Sequence, residues 1–438
     1  MNTPVCDFLK TNRKVKNRFY MPGHKGKYPD DITEIDGADV LYKPNGIILE
    51  SEKIASRIYN SQATFYSVEG ASLCVRASVY LVKEICLNHK KNPLILACRN
   101  AHSSFISACA ISDVDVEWLY GDNQSVLTCN VTPEQLNDAL KRTKASAFYL
   151  TSPDYLGYMS NIGVFAEICH KNGALFIVDN AHGAYLKFLP TSFHPLDFNA
   201  DLVIDSAHKT LPCLTGTAYL HVGKNAPVFF KENANGALYL FASTSPSYLL
   251  IASLDYFNGQ VEKFKKELFK TCNLVSLLKE KLSTIGYSII GNEPLKLTIY
   301  AKSYGYYGYE IAEYLKNYKI IAEFYDNDFI TFMISPLNKL KQIKSIEKAL
   351  TLLPKKEKIN VIAPNFVNLK KALSIRKAVF SPYEEILTEH AEGRILSTLT
   401  LSCPPAIPIA VSGEKLDENA IKLLKYYKIN KVKVVKKI

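Results

Sequence analysis

Four short stretches place chemically active side chains directly after apolar, β-rich runs. RNAHSS (99–104) follows PLILAC, TSPDYLG (151–157) follows ASAFYL, DNAHGAY (179–185) follows ALFIV, and DSAHKT (205–210) follows ADLVI. In open α/β sheets, ligands collect just past the carboxyl ends of strands. That rule draws His102, Asp179, His182, Ser206, His208 and Lys209 toward one region. Each histidine taken alone reads as an ordinary hydrogen-bonded loop residue. Histidines at three of these four strand ends, beside an aspartate and a lysine, are harder to assign to packing.

One cofactor chemistry asks for this set. Pyridoxal phosphate needs a lysine amine for a Schiff base and an acid to face its pyridinium nitrogen, and an imidazole can stack on its ring. Its phosphate needs backbone N–H groups and hydroxyls at a helix N-terminus. YSVEGASL (66–73) runs through Gly70 and Ser72 into a helix predicted over 72–88, and Ser206 and His208 could add further donors.

The surrounding pattern fits a sheet that could carry such a site. PLILAC (93–98), VDVEWLY (114–120), ASAFYLT (145–151), ALFIVD (174–179), ADLVIDS (200–206) and GTAYLHV (216–222) read as strands. They alternate with helical stretches at 72–88, 132–144 and 163–173, which implies right-handed crossovers and a largely parallel sheet. Residues 1–50, rich in Pro, Gly and Asp, read as an irregular N-terminal arm. A large cofactor-binding domain is expected over 51–290, ending in a long helical stretch at 246–284. A smaller α+β domain follows over 291–352, then a charged, proline-bounded linker and a terminal module over 366–438.

The bulk properties narrow the class. At 438 residues and 47% hydrophobic, the chain can bury more than one core. Its net charge of +11 comes largely from Lys-rich stretches such as NHKKN (88–92) and the tail KYYKINKVKVVKK (425–437). These read as solvated faces, and no nucleic-acid-binding motif accompanies them. The N-terminus lacks the apolar core of a signal peptide, and no stretch is apolar enough to span a membrane. Ten scattered cysteines without a CxxC pair point to reduced thiols in a cytoplasmic protein and to no metal site.

The chain resembles the pyridoxal-phosphate-dependent ornithine/lysine/arginine decarboxylases of fold type I, the aspartate-aminotransferase-like fold, in their shorter bacterial form. The resemblance runs in order through MPGHKGK (21–27), DITEIDGADVLYKPNG (31–46), RNAHSS, TSPDYLGYMSNI (151–162), VDNAHGAYL (178–186), DSAHKTLPCLTG (205–216), STSPSYLLIASLD (243–255) and CPPAIPIAVSGE (403–414). It implies an α/β chain with a large cofactor domain and a smaller C-terminal α+β domain. Lys209 would be the Schiff-base lysine, Asp179 the partner of the ring nitrogen, His102 the stacking residue and His182 a neighbour of the Schiff base. Gly70, Ala71, Ser72, Ser206 and His208 would hold the phosphate, joined by Thr244 from a neighbouring subunit. A homodimer or higher homo-oligomer with a shared active site follows from that last assignment.

The implied reaction is loss of CO2 from arginine, lysine or ornithine through an external aldimine and a quinonoid. Proton return at Cα would come from His182 or Lys209, and the product would be agmatine or a diamine; arginine is the favoured substrate. Glu323 and Glu385 are candidates to face the distal cation, with ordinary solvated carboxylates as the simpler reading. Arg376 and Arg394 stay open between surface pairing and the site. Two departures stand out. EGASLCV (69–75) replaces a phosphate loop close to NG[ST][ST]xGN, so Ala71 lacks a hydroxyl, and Asn180 stands where the family has Glu in DEAH. Transamination or β-elimination on the same fold, or a non-catalytic or weakly active cofactor-binding homologue, remain as alternatives.

Overall fold

Short apolar runs ending in a single polar residue, AFYLT, LFIVD and LVID, form the centre of the sheet. The computed structural model describes the chain apart from residues 1, 122–125, 362, 365–367, 404–406 and 438, with backbone alone at 400–403 and 407. Residues 404–406 of the CPPAIPIAVSGE block therefore lie outside the described residues. Two compact units emerge. The first comprises Met1–Leu96, Pro133–Ser152 and Asn161–Lys265, and the second Ala97–Thr132, Pro153–Ser160 and Lys266–Ile438.

The helices through the first part of the chain are α1 (Pro4–Asn12), α2 (Ile47–Tyr59), α3 (Gly70–Asn88), α4 (Ser103–Ser112), α5 (Pro133–Thr143), α6 (Ile162–Lys171), α7 (Ala207–Thr210), α8 (Val228–Phe241) and α9 (Tyr248–Thr284). The strands are β1 (Ala63–Ser67), β2 (Leu94–Cys98), β3 (Asp115–Leu119), β4 (Ala147–Thr151), β5 (Leu175–Asp179), β6 (Leu202–Asp205) and β7 (Ala218–Val222). They form one seven-stranded sheet in the order β1-β7-β6-β5-β4-β2-β3. β4, β5 and β6 are parallel, with Thr151 level with Asp179 and Asp179 level with Ile204. β7 and β1 complete this side antiparallel.

Phe176, Ile177 and Val178 of β5 and Leu202, Val203 and Ile204 of β6 are fully buried. Strands covered on both faces lose the polar alternation of a half-exposed sheet, and this is why they read as continuous apolar runs. The rings of Phe148 and Phe176 stack at 5.6 Å across β4 and β5.

The reading of residues 1–50 as irregular misses α1. Pro4 sits in its first turn, where a missing N–H costs nothing, and Asp7 complements the helix dipole there. Its fixing partner is remote in sequence: Cys6 N donates to Asp255 Oδ2 (2.9 Å), and Ser51 Oγ donates to Asp255 Oδ1 (2.6 Å). The long helical stretch at 246–284 is one helix, α9.

In the second unit, β8 (Ser288–Ile290), β9 (Lys296–Tyr300), β10 (Phe324–Tyr325) and β11 (Phe329–Met333) form an antiparallel sheet in the order β10-β11-β9-β8. The C-terminal segment packs helix Glu418–Tyr426 and strand Lys431–Val435 around Leu396, Leu424 and Val434, in one core with Phe324 and Phe329. A buried lysine reinforces this core. Lys302 Nζ donates to Tyr426 OH (2.6 Å) and Val361 O (2.7 Å) and pairs with Asp328 Oδ1 (2.6 Å). No described helix is long and apolar enough to cross a membrane.

Candidate active site

Because β5 and β6 are adjacent and parallel, the segments leaving their carboxyl ends start side by side. Backbone bonds hold them there: Asn180 N donates to Ile204 O (2.9 Å) and Gly183 N to Asn180 O (2.7 Å). The second segment makes a single helical turn, α7, in which Lys209 N donates to Ser206 O (3.1 Å). The outcome is a 3.0 Å separation between Lys209 Nζ and His182 Nε2. At that distance an amine and an imidazole can exchange a proton.

Asp179 is 3% exposed. Its Oδ2 accepts from Tyr149 OH (2.8 Å) and its Oδ1 from Ala181 N (3.2 Å). Both donors are neutral, so they orient the carboxylate without cancelling its charge. Tyr149 lies on β4, one strand over, and is itself fully buried.

A helix end lies in the same unit. Gly70 N donates to Gly216 O (2.7 Å), joining the start of α3 to the end of DSAHKTLPCLTG. Gly70 has φ +72°, a conformation that favours glycine, and nothing lies within 4 Å of where a Cβ would project. Glu69, at the cap, gives no side-chain bond to the first turn, and that turn holds no acidic residue. First-turn N–H groups have no helical acceptors and sit at the positive end of the dipole, which suits an anion. Ala71 and Ser72 are half-buried there. Glu69 Oε1 instead accepts from Ser243 N (2.6 Å), so the STS segment of this same chain meets the start of α3, with Thr244 exposed.

The remaining expected residues are placed as follows. Ser206 is buried at the cap of α7. His208 Nδ1 donates to Thr217 O (2.9 Å), which leaves only Nε2 for a ligand. His102 belongs to the second unit and caps α4. Its Nδ1 accepts from Ser104 N (3.1 Å), so the ring proton sits on Nε2. Arg376 donates to Ala110 O and Ile111 O (both 3.1 Å), and Arg394 pairs with Glu384. Glu385 lies 3.6 Å from Lys431 on a surface strand, and Glu323 is exposed.

The donor set fits pyridoxal phosphate. It offers an amine beside an imidazole, a buried carboxylate held by neutral donors, and a helix end with open space above Gly70. The side-chain oxygens of Thr151 and Asn180, at the ends of β4 and β5, and of Thr210, at the end of α7, are buried without a hydrogen-bond partner among the described residues. Buried polar atoms of that kind call for a ligand or water.

Sequence reasoning missed Tyr149 and the partners of Asp205. Tyr149 sits inside an apolar run and reads as strand filling. Asp205 is fully buried against His194 and His221, and neither histidine follows a recognisable strand-end cluster.

Solved structures define the fold. Lysine decarboxylase A from Pseudomonas aeruginosa superposes with a TM-score of 0.83 at 15% identity, over 99% of this chain and 80% of that one. Family matches then define the membership. Residues 11–285 match the Orn/Lys/Arg decarboxylase major domain, and residues 361–434 match the C-terminal domain of the same family. The chain belongs to the Orn/Lys/Arg decarboxylase family and is a pyridoxal-phosphate-dependent decarboxylase. It is similar to arginine decarboxylase of Bacillus subtilis (strain 168), at 27% identity over 96% of this chain and 92% of that protein. It is also similar to uncharacterized protein YaaO of the same organism, at 28% identity over 97% and 94%.

Proposed function

We propose that the chain decarboxylates arginine to agmatine and CO2, with Lys209 as the cofactor anchor. The observation that carries the assignment is the 3.0 Å contact of Lys209 Nζ with His182 Nε2 on strand ends shared with buried Asp179. Relatives named arginine decarboxylase, from four Bacillus-type bacteria, support the choice of substrate. Bound pyridoxal phosphate supplies an electron-withdrawing ring that accepts the electron pair left as the carboxylate departs.

The chain's own residues do the rest. Lys209 tethers the cofactor through its amine. Asp179 keeps a negative charge toward the ring nitrogen, and Tyr149 fixes the direction of that carboxylate. His182 holds a proton beside Lys209 Nζ and returns one to the substrate Cα. His102 is assigned the ring face, and Gly70, Ala71, Ser72, Ser206, His208 and Thr244 are assigned the phosphate.

Self-association is part of the proposal. Phe19, Met21, Leu240, Leu249 and Tyr256 of the first unit are exposed apolar side chains of the kind that partner surfaces bury. The partition into an arm (1–50), a large domain (51–290), a small domain (291–352) and a C-terminal module (366–438) is part of the proposal; the family matches over 11–285 and 361–434 support an end of the large domain near 290 and a separate C-terminal module. A cytoplasmic location is supported by the free thiols of the nine described cysteines outside strand Thr400–Cys403.

The test is chemical. Purified chain titrated with pyridoxal phosphate is expected to gain a visible band, and borohydride reduction followed by peptide mapping is expected to find the label on Lys209. A label on another lysine, or no band, refutes the assignment.

A further inference from the structure

A carboxylate that the reaction does not use lies behind the lysine. Asp205 ends β6 four residues before Lys209 and is fully buried, as are His194 and His221. Its Oδ2 accepts from His194 Nε2 (3.0 Å) and His221 Nε2 (3.2 Å), and its Oδ1 accepts from Asn180 Nδ2 (2.7 Å). Burial opposes the charge, but the two imidazoles outweigh it and hold this carboxyl well below the usual carboxylate range.

Second partners fix the protons. Leu196 N donates to His194 Nδ1 (3.4 Å), so that nitrogen carries no hydrogen and Nε2 does. Burial pulls the imidazole of His221 down, against the pull of Asp205. Its Nδ1 lies 2.8 Å from Thr64 Oγ1, which in turn lies 2.8 Å from Ser61 Oγ. One negative charge is thus met by three N–H donors from three separate segments. Asp205, His194 and His221 lie close enough to hold a metal ion, with their ligand atoms within 4.8 Å of one another. Here, however, both imidazole protons point at one carboxylate oxygen, and the set is complete as hydrogen bonds.

The choice of Asn180 as third donor gives the cluster a consequence for the site. Asn180 directly follows Asp179 and precedes His182 by two residues. Its bond to Asp205 therefore ties the segment bearing the ring-facing carboxylate and the imidazole to the strand bearing the lysine. His221 on β7 and His194, at the start of the 3-10 turn Pro195–Phe198, hold Asp205 in place.

We propose that Asp205, with Asn180, is a positioning residue that sets the spacing of His182 and Lys209. The proposal rests on the reading of Lys209 as the cofactor anchor. Asn180→Ala removes the side-chain bond to Asp205, keeps the backbone bond from residue 180 to Ile204 O, and leaves Asp205 and both histidines in place. In the cofactor-loaded chain it is expected to lower kcat about tenfold to a hundredfold, with KM changed less than about threefold, as small misplacements of reacting groups do. The pH midpoint of the lysine–cofactor absorbance band is expected to move as well, a readout that a merely structural role leaves alone.

Asp205→Asn is the more severe variant and is scored only by the band midpoint of whatever fraction folds. An Asn180→Ala protein with parental kcat and parental band midpoint overturns the proposal, whatever its melting temperature. A parental chain that forms no band at all overturns both the cofactor reading and this inference, which separates the two failures.

Discussion

Replacing Tyr149 by Phe removes one oxygen from the candidate site and leaves the ring that packs in β4. The lost hydroxyl donates to Asp179 Oδ2 at 2.8 Å, and both residues are buried. A hydrogen bond to a charged group is worth about 1.5–3 kcal/mol. At 1.4 kcal/mol per decade, that converts to about 10- to 150-fold in an equilibrium constant. Asp179 Oδ1 keeps the N–H of Ala181, so the carboxylate loses direction but not every donor. The lower end, about tenfold, is therefore the expected weakening of cofactor affinity. The assay is titration of cofactor-free Tyr149→Phe with pyridoxal phosphate, following the visible band, next to the parent. Urea unfolding of the same cofactor-free samples checks that the fold survives, with a cost of about 1.5 kcal/mol expected. An affinity within about twofold of the parent would mean that Asp179 does not face the cofactor.

Other consequences lie outside the site. Glu52, buried in α2, accepts from Tyr66 N (2.9 Å), and burial pushes its carboxyl up to about 8. A folded value above the ordinary 4.5 means its contribution to stability is full below 4.5 and is lost as pH rises through about 8. Glu52→Gln keeps the acceptor and does not titrate, so its unfolding free energy relative to the parent is expected to gain up to roughly 1.4 kcal/mol per pH unit across that window. Urea titrations at several pH values in the window measure this, and a constant difference contradicts it. Arg99 pairs with buried Glu414 at 3.1 Å and donates to the carbonyls of Pro408 and Ile409. Arg99→Ala is expected to cost about 3–5 kcal/mol by leaving that carboxylate buried without its guanidinium. Adding Glu414→Gln should recover part of the loss, and a double variant no better than the single one would count against the ion-pair explanation.

Much of the sheet was legible because its central strands are buried on both faces. LFIVD of β5 and LVID of β6 carry no polar residue until the last position, so the strand and the start of the functional loop announce themselves together. The same property hid Tyr149, whose phenol sits in an equally apolar run and gains meaning only from the register that places β4 beside β5. His194 and His221 stayed silent for another reason. Their partner Asp205 is 11 and 16 residues away, and nothing local marks a histidine as the donor to a buried carboxylate. Helix α1 was invisible behind an early proline, since its anchor, Asp255, lies 249 residues further on. The departures in EGASLCV read as a weaker phosphate grip. The fold adds that Glu69 takes the Ser243 amide, a contact no local pattern suggests.

The most direct measurement is CO2 release from carboxyl-labelled arginine, lysine and ornithine, run in parallel with the cofactor-loaded chain and with Lys209→Ala. The expected result is CO2 and agmatine from arginine with the parent, and neither from Lys209→Ala. No CO2 from any of the three, by a chain that shows the lysine–cofactor band, contradicts the proposed reaction.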